Sequence, residues 1–300
     1  PDHVRVLHSA ISALALPADL ASLGDSLGNS PLAASIYAYA PYFVAMNSLN
    51  YQFWHLDEAN EMVRYSHNGA VGALAMQAGF HAAWMSAPGM GHDQEPHAAL
   101  IRASACAEWL GRQVAAEGVA FMLGAIPEPD SRRAILAEVL DGKKLMAVSH
   151  YLASVVEQTG QLSWRDARVL ADTFPEAYGD PYLKKAQLTL MFIAGQWNAA
   201  HPEQPCTLDV SAAADYQLPK VLRTLGLLQY SPELAKLVDE GHLIASGSAE
   251  ERAIRAATIR ACKTMSEQFG RSIAEVDCWL WMNRNVDRDA KFHLTVTTHY

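Results

Sequence analysis

A single carboxylate, Asp215, interrupts the apolar run Ala214-Asp215-Tyr216-Gln217-Leu218, just ahead of Pro219-Lys220-Val221-Leu222, where a proline opens a helix. The orphan amide groups at a helix N-terminus stabilise an anion placed there. Two chemistries follow: the carboxylate caps the helix, the commoner outcome, or it stands as an anion beside a developing carbocation. A second pair of groups, Lys184 and Lys185, begins an otherwise apolar stretch after Phe174-Pro175-Glu176-Ala177-Tyr178-Gly179-Asp180-Pro181. Lysines so placed bind a phosphate or, more often, solvate one helix face. A third group, Asn50-Tyr51-Gln52-Phe53-Trp54, interleaves amides with aromatic rings. That combination suits stacking on a flat heterocycle and hydrogen-bonding its edge, with core packing as an equally common alternative.

Other catalytic signatures fail. The chain has no GxGxxG, no Walker loop and no HExxH, so phosphate cradling and helical zinc catalysis lose their cheapest support. Gly24-Asp25-Ser26-Leu27-Gly28 matches GxSxG, but it follows the helix-like residues 10–23 instead of the strand a nucleophile elbow needs. A glycine-rich loop is expected there. The twelve histidines include no i, i+4 pair, and His92 and His97 fall in or beside the loose Pro/Gly-rich residues 86–96. Cys106, Cys206, Cys262 and Cys278 are scattered without a CxxC pair and read as buried small hydrophobes. The expectation is a protein with no metal and no cofactor.

To position these groups the chain needs mostly helices, because its apolar residues recur at three and four, not at two. Ser163-Trp164-Arg165-Asp166, Ser248-Ala249-Glu250-Glu251 and Ser272-Ile273-Ala274-Glu275 each set a hydroxyl three residues before a carboxylate, which predicts a helix start. After Ser248, the residues Ile254, Ala257, Ala261, Met265 and Phe269 form one stripe ending at Gly270, a residue suited to a left-handed C-cap. Gly179-Asp180-Pro181 predicts a helix running to Trp197 with both lysines in its first turns. Leu218-Pro219 through Gly226, then Ser231-Pro232, predict two short helices in succession, a helix–hairpin–helix-like unit. Strand signals are thin: Thr295-Val296-Thr297-Thr298 is β-branched, and Tyr37-Ala38-Tyr39 alternates. The expected class is mainly α, with at most a few short strands.

Apolar residues make up 50% of the chain and charged ones 18%, enough burial to offset ordering entropy and exclude a disordered protein. Thirty-two acidic against twenty-three basic residues give a formal charge of −9, which repels phosphate backbones and argues against a nucleic-acid polymer as partner. A small molecule fits better. The longest stretch without Lys, Arg, Asp or Glu, residues 26–56, is broken by Asn, Ser and Pro into pieces too short to span lipid. The opening residues Pro1-Asp2-His3-Val4-Arg5 lack a secretory signal's basic and apolar regions, which sets a cytoplasmic expectation. With no repeat period, the loosest candidate seam after residues 86–96 is 124–129. It divides an N-terminal helical region, residues 1–125, which carries the aromatic segment, from a C-terminal helical region, residues 126–300, which carries Asp215. One continuous core is the alternative.

Taken in order, Leu49-Asn50-Tyr51-Gln52-Phe53-Trp54, Tyr182-Leu183-Lys184-Lys185-Ala186-Gln187, Ala214-Asp215-Tyr216 through Leu222, Leu225-Gly226-Leu227-Leu228-Gln229-Tyr230-Ser231, Ile254-Arg255-Ala256 and Asp277-Cys278-Trp279-Leu280-Trp281 resemble the motifs of the queuosine salvage protein family. The resemblance runs from about Ala45 to Tyr300. It implies a mainly helical protein related in architecture to helix–hairpin–helix DNA glycosylases. It also implies an N-glycosidase that cleaves queuosine or its 5′-phosphate and releases the 7-deazaguanine base queuine, a step in reusing a tRNA modification. It makes Asp215 the catalytic carboxylate and Asn50, Phe53, Trp54, Lys184, Tyr216 and Arg255 substrate-binding residues. Two departures stand out. Ala253 replaces the family's Glu before Ile-Arg, removing a carboxylate that orders Arg255 or contacts substrate. Gly69-Ala70-Val71-Gly72-Ala73-Leu74 replaces a Gly-Tyr-Trp-Ser-Leu stretch, removing two rings. A different modified nucleoside or nucleotide is therefore the alternative substrate, and a non-catalytic nucleoside-binding protein the alternative class.

Overall fold

The computed structural model describes residues 3–17, 20, 24–89 and 95–300. Fourteen α-helices occur among the described residues, with four sheets of two short strands each, so the molecule is mainly α. The chain forms two compact units. One comprises Gly24–Asp209 with His299; the other comprises Pro1–Leu23, Val210–Thr298 and Tyr300. Residues 124–129 therefore lie inside the first of these, and the division falls at 23/24 and 209/210 instead of near 125. The composition of 124–129 suggested a seam because Gly and Pro mark loops. This loop is held from within its unit, since Arg132 Nε donates to Pro127 O at 2.8 Å.

The Gly24–Asp209 unit is built around the helix Ile36–Ser48, all thirteen of whose residues are buried. It packs against the helices Lys184–Ala200, Pro96–Glu117 and Gly142–Thr159. A helix apolar all round has no polar face to reveal its period, which is why Tyr37-Ala38-Tyr39 reads as alternating in sequence. The segment is helical, started by Ser35, whose hydroxyl accepts from Tyr37 N at 3.3 Å. Two small antiparallel ladders follow it, Trp54–Leu56 on Met62–Arg64 and Ser66–His67 on Ala70–Val71. A parallel pair joins Gln161–Ser163 to Thr207–Asp209. Residues 24–30 form a loop, as the glycine-rich reading of the GxSxG match requires.

In the second unit, Ile254, Ala257, Ala261 and Met265 of the helix Ala249–Phe269 are buried against Leu218, Val221 and Leu222 of the helix Gln217–Thr224 and Val276 and Leu280 of the helix Ile273–Met282. Gly270 takes the left-handed C-cap at φ 61°. Ser248 accepts from Glu251 N at 3.2 Å, and Ser272 with Glu275 forms a full capping box, as does Ser163 with Asp166 in the other unit. The strand Val4–Val6 pairs antiparallel with Leu228–Tyr230.

Four local expectations change. Helix covers only His8–Ala13 of the segment before the glycine-rich loop, with 14–17 irregular; residues 18–19 and 21–23 lie outside those described. Residues 295–298 form no strand. Thr295 and Thr297 are buried and Val296 is 52% exposed, so the alternation is real; yet pairing stops at one bridge, Leu243 with Leu294. Pro181 does not start a helix, because the Asp180 carboxylate reaches past it to accept from Tyr182 N (3.1 Å) and Lys184 N (2.8 Å), moving the start to Lys184. Pro219 likewise stands inside Gln217–Thr224, because Asp215 sets that helix's beginning two residues earlier.

Candidate functional site

Asp215 sits at the end of the irregular residues 210–215 and is 8% exposed. Its Oδ1 accepts from Gln217 N at 2.7 Å and Leu218 N at 3.1 Å, the contacts of a helix-capping carboxylate. Oδ2 has no hydrogen-bond partner among the described residues. The capping contacts thus engage one oxygen of the side chain. Two neighbours fix the backbone that carries it. The Asp277 carboxylate accepts from Ala213 N at 2.7 Å, and Arg255 Nε donates to Ala214 O at 3.0 Å.

Arg255 is 1% exposed, and its guanidinium lies 3.6 Å from Glu251 and over the Tyr300 ring at 4.3 Å. Glu251, one turn before Arg255 in the same helix, places a carboxylate beside that guanidinium, whereas Ala253 offers none. Tyr300 also meets His293, whose Nε2 lies 3.1 Å from the hydroxyl. Burial, reinforced by the Arg255 charge, pushes the His293 imidazole down to about 3, so it is neutral. The Tyr216 ring packs on Phe292 with centroids 4.6 Å apart.

In the Gly24–Asp209 unit, Asn50, Phe53 and Trp54 occupy the turn and strand that leave the buried helix Ile36–Ser48. All three are buried: 6%, 5% and 1% exposed. Neither lysine is solvated. Lys184 Nζ donates to Asn50 O at 2.8 Å and Asn50 Oδ1 at 3.0 Å, while Lys185 Nζ donates to Ser48 O at 2.8 Å and stands over the Tyr51 ring at 4.8 Å. Burial, with Lys184 and Arg132 nearby, holds the Lys185 amine well below the usual lysine range.

Arg132 is the residue that sequence reasoning missed. It is 0% exposed and donates from Nη1 to Leu49 O (2.6 Å) and from Nη2 to Tyr51 O (2.7 Å) and Gln52 O (3.0 Å). Its guanidinium stacks over Tyr51 at 3.9 Å. In the charged stretch Pro129-Asp130-Ser131-Arg132-Arg133 it looks like a surface residue, and nothing in the spacing marks it. Asp277 was not singled out either, although a carboxylate within the apolar helix Ile273–Met282 is a signal that marks it. The Phe53 ring stacks near Tyr65 (6.3 Å), and Val71, in the second ladder, is 52% exposed.

Among the described residues no three His, Cys, Asp or Glu side chains converge as a metal set, and no helix is long and apolar enough to cross a membrane. His97 is exposed; His92 lies outside the described residues. All four cysteines are free and buried.

Comparison with known proteins is consistent in direction. The profile of the family described as "Queuosine salvage protein" matches residues 32–300. The chain is 27% identical over 267 residues to a queuosine 5′-phosphate N-glycosylase/hydrolase of Sphaerobacter thermophilus, covering 81% of this chain and 75% of that protein. It is 29% identical over 151 residues to the mouse protein of that name (45% and 43% covered) and 28% over 130 residues to that of Dictyostelium discoideum (40% and 40%). The match thus spans less than half the length of the mouse and Dictyostelium proteins.

Proposed function

Because the chain belongs to the queuosine salvage protein family, we propose that it is an N-glycosidase that hydrolyses the base–ribose bond of queuosine or queuosine 5′-phosphate and releases queuine. Water adds to C1′ and the base departs with a proton, leaving ribose or ribose 5-phosphate. The bond breaks through an oxocarbenium-like state, so a fixed anion on the ribose face gains strength as positive charge develops. A 7-deazapurine has carbon in place of N7 and offers no site there for leaving-group protonation, which places more of the burden on the sugar side.

The observation that carries this reading is the divided carboxylate of Asp215. One oxygen is immobilised by two amide donors, so the other is pre-aimed without reorganisation. Tyr216 and Arg255 belong to the same frame, Arg255 by gripping the carbonyl just before Asp215. In the other unit, Asn50 presents an amide whose carbonyl is tied to Lys184, and Phe53 and Trp54 supply the aromatic faces. Lys184 is the candidate partner for a 5′-phosphate. The cytoplasm, where free nucleotides occur, is the compartment this reading implies.

The deciding experiment incubates the protein with nucleosides and 5′-monophosphates and detects freed base by mass. Release of queuine that disappears in a folded Asp215→Asn protein supports the reading; near-normal single-turnover rates in that variant sink it. A second reading, the same bond in another modified nucleoside, is favoured by Val71, a small exposed side chain where the family carries a ring. The same panel separates the two.

A further inference from the structure

Five consecutive carbonyls, those of Ser48, Leu49, Asn50, Tyr51 and Gln52, each accept a hydrogen bond from a buried lysine or arginine side chain. We propose that Arg132 and Lys185 are positioning residues that, with Lys184, lock the segment carrying Asn50, Phe53 and Trp54 into its substrate-binding conformation. This rests on the N-glycosidase reading for its substrate, though not for its geometry.

The physical case begins with the helix Ile36–Ser48, which carries no charged residue and is buried throughout. Its C-terminal carbonyls hold the negative end of the helix dipole in a low-dielectric interior. Some are met by neutral donors: the Tyr178 hydroxyl on Val44 O and the Ser48 hydroxyl on Ala45 O at 2.6 Å. The carbonyls from Ser48 onward are met by lysine and arginine side chains. The Arg132 charge and the dipole thus stabilise each other, with Arg132 donating to the carbonyls of Leu49, Tyr51, Gln52 and Pro127, while Lys185 donates to that of Ser48.

Beyond the helix the chain adopts a conformation it would not hold by itself. Gln52 has φ 33°, in the left-handed region that side chains disfavour. The Gln52 carbonyl is one of the two shared by Arg132 Nη2, so the fork of one guanidinium spans the strained residue and its predecessor. Only arginine has a planar fork able to serve Pro127, Leu49, Tyr51 and Gln52 at once; lysine is a point donor. The next residues are Phe53 and Trp54. Their direction, and that of the Asn50 amide, is therefore set by side chains from two helices remote in sequence, Pro129–Val139 and Lys184–Ala200.

The test compares Arg132→Lys and Lys185→Met with Arg133→Ala, a control at an exposed side chain that donates to Ala115 O. Steady-state release of queuine from queuosine 5′-phosphate is measured with amide hydrogen exchange over residues 49–54 and with melting temperature. A misaimed binding segment should raise KM by roughly 10- to 100-fold in the first two variants with kcat changed less than about threefold. Amides 50–54 should lose protection while those of residues 36–46 keep it, and Arg133→Ala should behave as wild type. Unchanged KM in folded Arg132→Lys and Lys185→Met overturns the proposal, as does a KM rise accompanied by equal loss of protection throughout residues 36–54. If Lys185→Met fails to fold, Arg132→Lys decides under the same criteria. A wild type that neither binds nor cleaves queuosine 5′-phosphate removes the N-glycosidase reading alone, and the exchange data still decide whether the segment is locked by these two side chains.

Discussion

On the proposed reading Asp215 divides its work between two oxygens, and substitutions take that work apart. Asp215→Asn retains an oxygen for the amides of Gln217 and Leu218 but removes the charge. It should melt close to wild type while turnover falls about 10²- to 10³-fold. Asp215→Ala removes the cap as well and should cost about 1 kcal/mol of stability in addition. Thermal melts run beside single-turnover assays separate the two losses. Lys184 poses the parallel question, since its ammonium already holds both oxygens of Asn50. If it also pairs with a 5′-phosphate, Lys184→Met should reduce kcat/KM for the monophosphate far more than for the matching nucleoside. Equal losses would confine Lys184 to its grip on Asn50.

At the scale of elements, the second small ladder after the buried helix holds Val71, where the sequence reading expects a lost ring. Val71 is half-exposed at the ladder edge, so a ring there meets solvent instead of packed core. Val71→Trp should leave stability within about 0.5 kcal/mol and act on kinetics alone. A lower KM for queuosine marks an eroded queuosine site; a higher KM for a better, different substrate marks a rebuilt one. An unchanged set of constants would put this strand outside the pocket. Capped helices were legible because their signals are local: Ser163, Ser248 and Ser272 each announce a helix with a hydroxyl and a carboxylate three residues on. Long-range facts were not. Thr295-Val296-Thr297 has strand chemistry and alternating burial, and only the missing neighbour decides against it. Lys184-Lys185 reads as a solvated face until the carbonyls of another element are brought to it. Arg132 lacks even that cue, since three of its acceptors, the carbonyls of Leu49, Tyr51 and Gln52, lie about eighty positions away.

For the molecule as a whole, acidity and burial set how it responds to pH. His293 is held neutral with its pKa lowered to about 3 beside Arg255 and Tyr300, whereas an unfolded histidine titrates near 6.5. Below that value the unfolded chain binds the proton first, so the contribution of this group to stability is complete above about pH 6.5 and lost as pH falls toward 3. Between pH 7 and 5 the wild-type melting temperature should fall more than that of His293→Gln, and parallel slopes would refute the assignment. The paired strands Val4–Val6 and Leu228–Tyr230 carry a consequence of another kind, in time. Residues 24–209 form one unit almost unaided by the rest of the sequence, whereas the other unit is assembled from both flanks. On a ribosome, residues 4–6 emerge before 228–230 and stay unmatched until those follow, a wait on the order of ten seconds or more at about 5–20 residues per second. Birth order and assembly order are thus reversed for the unit that holds Asp215: its earliest strand is among the last pieces to find a partner.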